Sequence, residues 1–194
     1  MKDRIFFYVK VFGVFLLVFL SMKSVFFAFN ATPFSFSYFL KNLPSILFHG
    51  LKLDLSTTGY LMAVPLLVCL ISVWTKNMRW VRPILLIFFG FIAIFLAIIL
   101  AVDCSLYSFW GFKLDATVFN YLDNPRNITS SVSLGYLLVG ITTIIILGSG
   151  IFFLLWHVTP RNIRPVHHRM GTTAVLLLLG GLTFLLVRGG TGKS

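Results

Sequence analysis

Glutamate does not occur anywhere in this chain, and its acidic residues are five aspartates scattered from Asp3 to Asp123. A catalytic divalent-metal centre needs carboxylates and imidazoles converging at short range. The spacing here provides no such cluster, so no catalytic residue and no metal ligand is assigned. Charge of either sign is scarce at 11%, against about a quarter in soluble domains, while 58% of positions are hydrophobic. That balance excludes a water-soluble core. Cysteine is limited to Cys69 and Cys104 without paired spacing, which points away from a structural disulfide or a zinc site.

What the chain does have is long apolar runs. The clearest, 84–102, contains no charge, and fifteen of its nineteen residues are Leu, Ile, Phe or Val. Insertion of such a run is favourable by about 5 to 9 kcal/mol. Four further runs, 5–29, 55–74, 132–156 and 172–187, complete an expected set of five transmembrane helices in an all-α polytopic membrane protein. The last is the shortest.

The net charge of +11 would suggest nucleic acid in a soluble protein, but the basic residues sit at the ends of apolar runs. They act as topology signals, and no nucleic-acid partner is expected. Lys76, Arg79 and Arg82 follow the second run, and Arg161, Arg164 and Arg169 follow the fourth, in both cases without an acid. With Lys2 and Arg4, they place the N-terminus and both loops in the cytoplasm. The loop 103–131 holds Asp103, Asp115 and Asp123 and is expected outside, as is the C-terminus. His157, His167 and His168 lie among arginines, which disfavours a bound cation there.

The first run resembles a secretory signal but is longer than the usual apolar region and lacks a small-residue cleavage site, so an uncleaved anchor is expected. Lys10 and Lys23 lie near its ends, where their stems can snorkel to headgroups. After Thr32-Pro33, the apolar residues Phe36, Phe39, Leu40, Leu43, Ile46 and Leu47 recur at helical spacing. This predicts an interfacial amphipathic helix bent at Pro44. Tyr107, Trp110, Leu114, Val118 and Tyr121 predict another in the second outer loop. Gly189-Gly190-Thr191-Gly192-Lys193-Ser194 imitates the end of a phosphate-binding loop, but it follows a membrane helix rather than a strand.

One five-residue pattern occurs twice, as Gly50-Leu51-Lys52-Leu53-Asp54 and as Gly111-Phe112-Lys113-Leu114-Asp115. Asp54 and Asp115 can each cap a helix start or stand as carboxylates on an outer rim. Lys52, Lys113, Arg126 and Arg188 are the cations at similar depth. Together they are the candidate contacts to a phospholipid headgroup, with ordinary capping and anchoring as the alternative.

Residues 48–56, Phe48-His49-Gly50-Leu51-Lys52-Leu53-Asp54-Leu55-Ser56, together with Phe109-Trp110-Gly111-Phe112-Lys113-Leu114-Asp115, Tyr121-Leu122-Asp123-Asn124-Pro125 and Val187-Arg188-Gly189-Gly190, carry a resemblance. They are similar to the N-terminal membrane region of lipoteichoic acid synthase-like proteins, phosphoglycerol or phosphoethanolamine transferases of the sulfatase and alkaline phosphatase superfamily. The resemblance implies a bacterial cytoplasmic membrane and a membrane phospholipid partner. It also implies an extracytoplasmic catalytic domain, C-terminal to this chain, that uses a threonine nucleophile and a divalent metal (Mn, Mg or Zn). No cofactor is expected in the membrane region itself, and residues 189–194 are expected to begin the linker. The competing expectations are a small transporter or channel subunit, and a non-catalytic membrane scaffold.

Overall fold

The computed structural model describes residues 2–30, 33–110, 134–161, 165, 166 and 168–188. Among them are six helices: α1 (Lys2–Asn30), α2 (Pro33–Leu61), α3 (Ala63–Trp74), α4 (Val81–Trp110), α5 (Leu134–Val158) and α6 (Arg169–Val187). Helices are what such runs must form, because hydrocarbon offers no partner for a backbone N–H or C=O and only a helix satisfies both internally. Among the described residues, four apolar segments are long enough to cross a membrane: Lys2–Asn30, Gly50–Trp74, Val81–Ser105 and Leu138–Val158. Arg169–Leu185 is a shorter apolar helix. The protein is therefore an all-α, multi-pass membrane protein by length and composition.

Two expectations change in the region of α2. The interfacial helix and the start of the second span are one element, since α2 continues through Pro44 to Leu61. The break falls at Met62, where Pro65 explains it. Pro65 has no N–H to give Leu61 and its ring crowds that carbonyl. The ladder resumes at once, with Leu66 N–H donating to the Met62 carbonyl at 3.0 Å. Asp54 consequently lies deep within α2 and does not cap a helix start.

The core is aromatic and aliphatic. Phe15 on α1 meets Phe89 on α4 edge to face at 6.1 Å, with Val11, Leu85, Leu155 and Leu176 buried around them. Residues turned outward are as apolar as those within: Ile87 is 74% exposed and Phe91 67%. Such faces suit acyl chains and would be a liability in water. Without a hydrophobic force to hold helices together in lipid, small residues set the contacts. A Cβ on Gly148 of α5 would stand 3.5 Å from the Ala97 Cβ of α4, and one on Gly59 of α2 would meet Val187 and the Thr183 carbonyl of α6.

The contacts sort the bundle into two ends. Arg4 reaches Ser72 and Met78, Arg82 lies over Trp156 at 5.9 Å, and Asp3 and Lys10 share a cleft with His157. One end therefore carries the start of α1, the α3–α4 connection and the end of α5, with Lys2, Arg4, Lys76, Arg79, Arg82 and Arg161. The opposite end carries Lys23, Asp54 and the end of α6.

Candidate functional site

At that opposite end, the Lys23 ammonium of α1 approaches Asp54 Oδ2 of α2 at 2.6 Å, with the side chains 22% and 5% exposed respectively. Both charges lie within apolar helices, where an isolated charge is costly and a pair is the usual solution. Gly50 makes the pair possible. It is one helical turn before Asp54, and a Cβ there would occupy the place of Lys23 Nζ. The repeated pattern thus has a physical account in its first copy: the glycine opens a slot through which a lysine of the neighbouring helix reaches the aspartate.

The pairing of Asp54 with Lys23 was not foreseen from the sequence. Lys23 was expected to snorkel to the headgroups, but it turns to Asp54. Its only linear signal is a charge seven residues inside the end of an apolar helix. Lys10 behaves differently, staying exposed with its ammonium 4.2 Å from the centre of the Phe6 ring.

Lys52 and Arg188 come to the same end through a contact between α2 and α6. Ser56 Oγ donates to the Val187 carbonyl at 3.0 Å. Lys52 is one turn before Ser56, Arg188 directly follows Val187, and both side chains are exposed. Lys113, Asp115 and Arg126 lie outside the described residues. Thr58, one turn beyond Asp54, is fully buried and its hydroxyl has no hydrogen-bond partner.

A second buried charge sits at the basic end. Arg4, 1% exposed, donates from Nε to Ser72 Oγ at 2.9 Å and from Nη2 to the Ser72 carbonyl at 3.1 Å. Ser72 Oγ in turn donates to the Cys69 carbonyl at 2.7 Å. Arg4 was read from the sequence as a topology signal, and the structure makes it a bridge between α1 and α3. Tyr8 and Thr183 join hydroxyls at 3.1 Å between α1 and α6. Cys69 and Cys104 are both buried and are not joined in a disulfide.

The family model DUF3413, described as a domain of unknown function, matches residues 20–187. The chain belongs to that family. The DUF3413 match takes in Lys23, Gly50, Lys52, Asp54 and the whole of α2 to α6. No curated protein and no solved structure matches the chain. Among the described residues, no group of three His, Cys, Asp or Glu side chains could hold a metal ion.

Proposed function

We propose that this membrane domain anchors an extracytoplasmic phospholipid-headgroup transferase and presents lipid to it at the end of the bundle bearing Lys52 and Arg188. The observation that carries the proposal is the Ser56 to Val187 hydrogen bond, which brings two exposed cations from distant parts of the chain onto adjacent helices. Asp54 does not compete for them, because it is engaged by Lys23. A phosphodiester at the interface would then meet two cations free to donate charge-assisted hydrogen bonds. The sulfatase-like chemistry belongs to the C-terminal domain that the sequence resemblance implies, with Lys113 and Arg126 as further headgroup contacts. In this reading, the basic end faces the cytoplasm of a bacterium and α6 is a fifth crossing.

The test is headgroup transfer by the full-length protein in its native membrane, with Lys52→Glu and Arg188→Glu combined. The apparent KM for the phospholipid rises about tenfold or more, as expected for losing at least one charge-assisted hydrogen bond, while kcat and membrane insertion stay unchanged. Unaltered kinetics would remove the two cations from lipid presentation. A second reading, a small transporter, draws on Asp54, Lys23 and Arg4 inside the helices, since intramembrane charges often mark a pathway. Substrate-dependent flux through reconstituted liposomes that Asp54→Asn abolishes would favour it.

A further inference from the structure

The basic end carries a cleft that the lipid-presenting reading does not use. It measures about 510 Å³ and lies between the first turns of α1 and the end of α5, lined by Asp3, Phe6, Lys10, His157 and Pro160. Its charges are mixed and ordered. Asp3 and Lys10 are two helical turns apart on one face of α1, and Lys10 folds back over Phe6 with its ammonium 4.2 Å from the ring centre. This fold brings the cation to within about one turn, roughly 5 Å, of the carboxylate's level on the helix. His157 stacks against Phe153, their ring centres 6.4 Å apart, and a neutral or charged imidazole presents an N–H donor.

We propose that this cleft is a binding site for a phosphoethanolamine headgroup of the surrounding leaflet, with Asp3 accepting from the ammonium and Lys10 and His157 donating to the phosphate. One carboxylate and two donors lining a single cleft complement a phosphate and a primary ammonium joined by two carbons. A purely anionic headgroup would meet Asp3 with like charge. A trimethylated ammonium keeps its charge but has no N–H for Asp3 to accept. Phe6, 62% exposed, forms an apolar shoulder toward the acyl chains.

The purified full chain, stripped of native lipid and offered equal amounts of phosphatidylethanolamine, phosphatidylcholine and phosphatidylglycerol in mixed micelles, is read by native mass spectrometry. Phosphatidylethanolamine is retained about tenfold over phosphatidylcholine, the ratio set by one charge-assisted hydrogen bond. Asp3→Asn collapses that ratio to near one, and Lys10→Gln weakens retention of all three lipids. Both side chains are exposed, so neither variant disturbs the packed bundle. Lys52→Gln with Arg188→Gln lowers retention of the three lipids without abolishing the preference for phosphatidylethanolamine, which separates this site from the proposed lipid-presenting end. Equal retention of the three lipids, or a preference that survives Asp3→Asn, would overturn the proposal.

Discussion

Lys23 and Asp54 are joined 2.6 Å apart across the space that Gly50 leaves empty. The pair ties α1 to α2 at the end of the bundle opposite Arg4. A Cβ at position 50 would force the flexible end of Lys23 to shift from its present place. Lys23 Nζ and a Cβ at Gly50 compete for one place.

Asp54→Ala is expected to destabilise the protein by about 3 kcal/mol, the lower end for breaking a buried pair, because Lys23 keeps partial access to the interface. Gly50→Ala should cost less, because the flexible end of Lys23 can shift and alanine favours the helix. In a Lys23→Ala background, Gly50→Ala should cost little, since the obstructed group is gone. Unfolding titrations of the four variants in micelles would measure the coupling. Additive effects would show that Gly50 acts through something other than Lys23.

Arg4→Lys should lower stability by about 2 kcal/mol, although charge is retained. A lysine cannot donate from a fixed fork to both the hydroxyl and the carbonyl of Ser72. Ser72→Ala removes one acceptor and leaves the carbonyl, so its cost should be smaller, about 1 kcal/mol. The ranking of the two unfolding midpoints is the check, and the reverse order would contradict the bridge between α1 and α3.

Gly59→Leu should detach α6. A Cβ at this position would stand 3.1 Å from the Thr183 carbonyl, a backbone atom that cannot turn aside. The expected cost is about 1 to 3 kcal/mol, typical of overpacking. Loss of the neighbouring Ser56 to Val187 hydrogen bond would also separate Lys52 from Arg188. A cysteine pair introduced at Leu66 and Gly180, where α3 meets α6, would cross-link in the parent protein and lose cross-linking in the Gly59→Leu background.

The family match extends over residues 20–187, so the Lys23–Asp54 end lies within it and the cleft residues Asp3 and Lys10 lie outside it. The two ends of the bundle are therefore best tested separately. Lys52 and Arg188 were legible as candidate cations from their position at span ends. Their proximity was not, because it depends on α6 packing against α2 at Gly59 and against α3 at Gly180. Lys23 was read as snorkelling because nothing local distinguishes a snorkelling lysine from one that turns inward to a carboxylate.

The amino-acid sequence alone determined that the chain is helical and apolar, and it determined which ends of its runs collect positive charge. Those properties follow from solvent: hydrocarbon demands internally bonded backbone and rejects unpaired charge. The tertiary structure decided which helices touch, that Asp54 pairs with Lys23 instead of capping, and that Arg4 is buried against Ser72. In a chain whose inward and outward faces are equally apolar, hydrophobicity cannot choose neighbours. Close approach at small residues and the few intramembrane polar groups make that choice.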